Sequence, residues 1–259
     1  MLSLWCKPRM STGLPNSIHL ENASNLRDLG GWPTSEGGRV RAGLIFRAPA
    51  LLQLSDKDRA TLADLGIRTV CDLRGQSEGT SRPVRIAGAR HEHFPIEPSV
   101  GGSLRDILRT GIATGDTTPD HMMALMRDAY QAYALQSFTQ YRSLFALMLA
   151  DEGVPLVFHC AAGKDRTGFG AALILTALGV GWDDVVADYL ATNRLWRRES
   201  AVFDMDQPLK DVLLSAHTGL LVAAFAAIKG AYGSVDAYLE QAIGLGPAER
   251  SALRARYII

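Results

Sequence analysis

Cysteine is scarce in this chain. Cys6, Cys71 and Cys160 are the three in 259 residues, and they offer neither an even-numbered disulfide framework nor the paired spacing of a zinc site. That usage fits a reducing compartment, so a cytoplasmic protein without metal or cofactor is expected. Surplus charge is absent as well, because 27 basic side chains meet 27 acidic ones. The whole surface therefore draws neither nucleic acid nor an anionic membrane, and any attraction for an anion has to be local. Long apolar runs are missing too. The stretches 171–178 and 220–228 fall well short of the roughly 20 residues that span a bilayer. At the start, Met1 to Cys6 is interrupted by Lys7 and Arg9 before it reaches the length of a signal-peptide core. Neither stable membrane insertion nor classical export is expected, and the pattern leaves the oligomeric state open. There is no internal repeat, low-complexity tract or long linker.

What is present is material for a sizeable core. A 47% hydrophobic and 21% charged composition over this length describes one α/β domain over 1–259, with 1–20 as an extended leading segment. The stretches 43–47 and 69–73 have strand character. Between them, 55–65 reads as a helix begun by Ser55 and stopped by Gly66. Gly37 and Gly38 suit a hairpin turn between Trp32 and Val40. Helical spacing runs through 120–149, with Met122, Leu125, Met126, Tyr133, Leu144 and Leu147 on the core side. A buried strand at 154–158 leads to a buried helix at 167–180. The sum is a central, mostly parallel sheet flanked by helices, with its site at the C-terminal end of a strand. Two stretches read as mobile: 96–119, a candidate wall of that site, and 197–207.

The most informative stretch is His159-Cys160-Ala161-Ala162-Gly163-Lys164-Asp165-Arg166-Thr167-Gly168. Cys160 and Arg166 bracket five residues at a strand-to-helix turn. So short a loop must curl and aim its backbone N–H groups at one point, where a helix N-terminus already favours an anion. Gly163 admits backbone angles closed to other residues. Ala161, Ala162, Gly163, Lys164 and Thr167 are thus candidate contacts to a bound phosphate, and the fork of Arg166 matches two of its oxygens. The same field favours thiolate over thiol at Cys160. Cys-x5-Arg alone is a weak signal. Its weight comes from the preceding His, the internal Gly and Lys, the hydroxyl after Arg166, and the flanking strand and helix.

With those residues the chain resembles the Cys-based tyrosine and dual-specificity phosphatase superfamily, within it a bacterial tyrosine and lipid phosphatase branch. Supporting stretches are Asn25-Leu26-Arg27-Asp28-Leu29-Gly30-Gly31, Leu44-Ile45-Phe46-Arg47, Val70-Cys71-Asp72-Leu73-Arg74 and Ala187-Asp188-Tyr189-Leu190, with Tyr232-Gly233-Ser234 and Tyr238-Leu239 further on. The resemblance implies a phosphatase-like fold and a metal-free reaction. Cys160 would form a cysteinyl-phosphate that water hydrolyses, and Arg166 would hold the equatorial oxygens. Thr167 would stabilise the departing thiolate or, as a helix-start residue, satisfy a backbone N–H. The proton donor to the leaving oxygen is open: Asp165 ranks first, and Glu97, Asp116 and Asp120 are the alternatives, each equally readable as a solvated loop acid. Lys164 adds a cation that suits substrates with more than one phosphate, or it merely tunes Cys160. The partners implied are phosphorylated proteins or phosphoinositides. The region 194–230 could form a helical lid over the site or an ordinary core-packed helix pair.

Other chemistries use a cysteine on an anion-cradling loop. Arsenate reduction needs further thiols, and Cys6 and Cys71 lie far from Cys160 in sequence; sulfur transfer also remains a rival, whereas a non-catalytic phosphate-binding module has no use for Cys160. Cys71 reads as a small core residue that could also pair with an oxidised Cys160. Asp72 and Arg74 read as a buried structural pair, with Glu78 spaced to close onto Arg74. Asn25, Arg27, Asp28 and Arg47 read as polar residues that satisfy backbone groups.

Overall fold

A computed structural model describes residues 16–97, 118–150, 152–197 and 206–259. Cys6, Asp116, most of the expected site wall and most of 197–207 lie outside them. Six strands form one sheet: β1 (Asn16–Ser17), β2 (Arg27–Asp28), β3 (Ile45–Ala48), β4 (Thr69–Asp72), β5 (Arg90–His93) and β6 (Leu156–His159), in the order β1-β2-β3-β6-β4-β5. The first three pair antiparallel, whereas β3, β6, β4 and β5 run parallel. β6 is central, hydrogen-bonded on both edges and buried on both faces, which is why Leu156, Val157 and Phe158 are apolar without alternation.

Ten helices accompany the sheet among the described residues. α1 (Asp56–Asp64) starts at a capping box in which Ser55 and Asp58 satisfy each other's backbone N–H, and Gly66, at φ +63°, turns the chain away from it. α2 (Gln76–Ser81) is a short helix after β4. The expected helix over 120–149 is two: α3 (Pro119–Leu135) and α4 (Phe138–Leu149). Both Gln136 and Ser137 turn their N–H back to the Ala132 carbonyl, which ends α3 while the apolar spacing carries on. α5 (Arg166–Ala177) follows β6 and is buried nearly all round, as a helix crossing the core must be. Then come α6 (Trp182–Leu195), α7 (Gln207–Leu214), α8 (Thr218–Tyr232), α9 (Val235–Gln241) and α10 (Pro247–Tyr257).

The Gly37–Gly38 turn stands as expected, with Val40 donating to Trp32 at 2.9 Å and both glycines at positive φ. The main core packs α3, α4, α5, α8, α9 and α10 against one sheet face, and a smaller one under α1 covers the other. The amphipathic stretch 208–228 divides into α7 and α8, bent by 47°. α8 sends Leu220, Leu221, Ala224, Phe225 and Ile228 into the core, whereas α7 buries only Leu209. No single described helix is long and apolar enough to cross a membrane.

Candidate active site

The loop leaves β6 at His159 and enters α5 at Arg166, so the parallel register of β3, β6 and β4 fixes both its ends. Three of its carbonyls are held from the β2–β3 side. Ala161 accepts from Ala50 N–H at 3.0 Å, Ala162 from Asn25 Nδ2 at 3.4 Å, and Gly163 from Arg47 Nη2 at 2.8 Å and Asn25 Nδ2 at 3.2 Å. In a planar trans peptide the N–H points opposite to the C=O. The amides of Ala162, Gly163 and Lys164 therefore face away from those partners, on the concave side of the turn. Gly163 is required twice over: its φ is +65°, and a Cβ there would lie 2.5 Å from the Ala48 carbonyl oxygen.

Cys160 sits at the base of this turn with 2% of its surface exposed, and it is a free thiol. Arg166 is buried beside it. Burial opposes its charge, but the negative charge of Cys160 and the hydrogen bond to Glu78 outweigh that and push its basicity above the ordinary arginine value. Nη1 of Arg166 donates to Glu78 Oε2 at 2.7 Å and to the Ile96 carbonyl at 3.1 Å. Glu78 is thus not the partner of Arg74. Arg74 makes a bidentate pair with Asp72 instead, as close as 2.5 Å, which bears out that expected pair while reassigning Glu78. Although burial pushes the Glu78 carboxyl up, Arg166 holds it below its usual range.

Behind the nucleophile, His159 is fully buried, its Nδ1 lying 3.3 Å from the Cys160 carbonyl oxygen and 3.8 Å from Asp72 Oδ1. Burial pulls it down to about 4 despite the Asp72 charge, so the ring is neutral at neutral pH. Thr167 is also fully buried, and its hydroxyl finds no hydrogen-bond partner among the described residues. Cys71 is a free core thiol whose pKa burial pushes well up, as expected of a small buried residue.

Asp165 lies at the start of α5, its Oδ1 accepting from Tyr130 Oη at 2.9 Å and facing Lys164 Nζ at 3.0 Å. Tyr130 Oη is in turn 2.6 Å from Tyr189 Oη. The Lys164 ammonium has 2% exposure. It donates to the carbonyls of Leu213 at 2.9 Å and Ser215 at 3.1 Å, at the end of α7. Of the alternative acids, Glu97 is exposed and accepts from Gln76 N–H at 2.9 Å, capping α2. Asp120 lies exposed in the first turn of α3. The loop thus gathers Cys160, Arg166, Asp165 and Lys164 at one place and brings in Glu78, Tyr130, Asn25 and Arg47, whose parts the sequence did not disclose.

A free cysteine sulfur at a turn whose amides point inward, with a guanidinium held beside it by Glu78, is equipped to bind a tetrahedral anion and attack it. The chain belongs to the tyrosine phosphatase family, which it matches over residues 18–259. Its function is the hydrolysis of phosphomonoesters through a cysteinyl-phosphate.

Two relatives are similar over nearly their whole lengths. A Cupriavidus necator protein named as a tyrosine-protein phosphatase is 35% identical over 94% of this chain and 89% of its own. The triple specificity protein phosphatase PtpB of Mycobacterium tuberculosis is 31% identical over 91% of this chain and 96% of its own. The solved catalytic core of Siw14 overlays 85% of this chain and 95% of its own, at 12% identity and a TM-score of 0.43.

Proposed function

We propose that Cys160 is the nucleophile, Arg166 the phosphate clamp and Asp165 the proton donor of a phosphatase acting on phosphotyrosine proteins, with phosphoserine, phosphothreonine and phosphoinositides as further substrates. The Cys160 thiolate attacks phosphorus and the ester P–O bond breaks, while the departing oxygen takes the Asp165 proton. Water then attacks the cysteinyl-phosphate, gives its proton to the Asp165 carboxylate, and releases phosphate and thiolate. The backbone amides from Ala161 to Lys164 and the Nε and Nη2 edge of Arg166, whose Nη1 is held by Glu78 and Ile96, hold the equatorial oxygens through the two steps. Thr167 contributes its hydroxyl to the departing sulfur, and Lys164, whose three donors are taken by the Leu213 and Ser215 carbonyls and by Asp165, orients Asp165 rather than meeting a second phosphate. The scarcity of cysteine, with Cys71 and Cys160 unpaired, favours a reducing compartment.

The observation that carries the reading is one short loop that buries Cys160 and Arg166 together, its carbonyls bonded outward by Ala50, Asn25 and Arg47. The breadth of substrates is supported by the similar Mycobacterium tuberculosis protein, a triple specificity phosphatase. The test compares turnover of a phosphotyrosine peptide, a phosphoserine peptide and a set of phosphoinositides by wild type and Cys160→Ser. Loss of every activity in the serine variant is expected; survival of any rejects the thiolate mechanism.

A further inference from the structure

Between the sheet and α6 lies a set of buried ions that the reaction above does not use. Arg27 on β2 and Arg47 on β3 are both fully buried, and both point at Asp188 on α6. Arg27 Nε meets Asp188 Oδ1 at 2.9 Å, and Arg47 Nη1 meets Asp188 Oδ2 at 2.5 Å. Burial and the neighbouring Arg47 pull Arg27 down to about 10, which leaves it protonated at neutral pH. Burial pushes Asp188 up, but the two guanidinium groups win and hold it below its usual range. The cluster therefore carries two positive charges and one negative.

That surplus stands out against its surroundings. Among the described residues around the loop, Arg166 has Glu78 and Arg74 has Asp72, one carboxylate to each cation, while His159 is neutral and Lys164 faces the acid Asp165 and two carbonyls. Only the pair of Arg27 and Arg47 shares a single carboxylate. A Cys160 thiolate restores the balance. Stability alone gives no reason for such a cluster, since burying ions costs desolvation that apolar side chains of similar size avoid.

The same residues grip the loop. Arg47 splits its fork between Asp188 and the Gly163 carbonyl. Asn25, at φ +67°, accepts from Arg27 through Oδ1 and donates from Nδ2 to Ala162 and Gly163. Each bond that holds a carbonyl outward aims the next amide inward.

We propose that Arg47 and Asn25, anchored by Asp188 and Arg27, are positioning residues for catalysis: they keep the loop amides aimed at the anion and supply the uncompensated charge that the Cys160 thiolate answers. The proposal rests on the reading that this loop binds phosphate.

Three substitutions test the two roles: Arg47→Gln removes the charge, Asn25→Asp cancels it and also loses the Nδ2 donor to the Ala162 and Gly163 carbonyls, and Arg47→Lys keeps the charge but loses the fork, so that Arg47→Lys alone isolates the grip. Alkylation of Cys160 by iodoacetamide at pH 6, followed on its own peptide by mass spectrometry, reads the thiolate independently of turnover. Protection from alkylation by inorganic phosphate reads the amide cradle. Arg47→Gln and Asn25→Asp should slow alkylation by about tenfold. Arg47→Lys should alkylate within about twofold of wild type yet need about tenfold more phosphate for protection. Folded Asn25→Asp and Arg47→Lys proteins that match wild type in both readouts would overturn the proposal, and these two decide it if Arg47→Gln does not fold. Absence of phosphate protection in the wild type would instead fail the phosphatase reading, leaving the alkylation comparison as the test of charge.

Discussion

Glu78 and Arg166 lie 88 residues apart in the chain and 2.7 Å apart in space, so the guanidinium that faces Cys160 is aimed by a carboxylate on a separate helix. Glu78→Gln keeps the shape but removes the charge assistance, worth about 1.5–3 kcal/mol for a hydrogen bond to an ion. A fall in kcat/KM of about 10- to 100-fold on p-nitrophenyl phosphate is expected, with weaker competitive inhibition by phosphate. Since the native carboxyl is held low, its support is present above the ordinary glutamate range and is lost as pH falls through the lower native value. Unchanged kinetics in Glu78→Gln would show that packing alone orients Arg166.

Tyr130 and Lys164 both address the same oxygen of Asp165, leaving its other oxygen for the leaving group. Asp165→Asn should therefore slow alkyl phosphates, whose leaving groups need a proton, by at least about 100-fold, and nitrophenyl phosphate far less. Tyr130→Phe should show the same leaving-group dependence with a smaller loss, because Asp165 keeps its carboxyl but not its orientation. Equal losses for both substrate classes in Asp165→Asn would remove it as the proton donor.

Wherever the pattern was local, the elements were legible. Residues 156–159 and 166–177 form the strand and helix that the apolar run and the Ala-Leu stretch announced, and Ser55 and Gly66 bound α1 as their chemistry dictates. Cys160 and Arg166 were legible because one short loop carries both. What escaped depends on partners distant in sequence. Nothing near Glu78 tells that its partner is Arg166 and that Arg74 pairs with Asp72 instead. The break between α7 and α8 falls at Ser215-Ala216-His217, and what holds it lies far off in the chain: Lys164 on the carbonyls of Leu213 and Ser215, and Asn193, which bonds Ala216 in both directions. Arg27 and Arg47 looked like residues satisfying backbone groups, and they do: Arg47 holds the Gly163 carbonyl of the loop, and Arg27 the carbonyls of Asn25 and Asp188.

The Lys164 ammonium ties that loop to the last turn of α7, whose only buried side chain is Leu209. Lys164→Met should free the end of α7. Amide hydrogen exchange over 207–217 is expected to quicken about tenfold, matching the loss of roughly 1.4 kcal/mol from a charged hydrogen bond, while α8 stays protected by its core side chains. Exchange that is unchanged across 207–217 would mean that α7 is held by other contacts.

His159 ties acid sensitivity to the base of the site. Its native pKa of about 4 lies below the ordinary histidine value near 6.5, so the unfolded chain takes up the proton first. The stability this residue contributes is complete above the unfolded value and is lost as pH falls from there toward about 4, by about 3 kcal/mol at most. The part-buried carboxylates of Asp72 and Glu78 and the buried one of Asp188 are all held low, so their losses begin only below the ordinary carboxylate range, under the window where His159 acts. His91 is also lowered, chiefly by partial burial, and adds a term of the same sign. Thermal midpoints of the wild type should thus drop between pH 7 and pH 5. In His159→Gln the midpoint should be lower at pH 7, where the buried ring is lost, yet nearly flat across the same interval. A variant that keeps the full wild-type slope would assign the acid sensitivity to another group and leave His159 a packing residue alone.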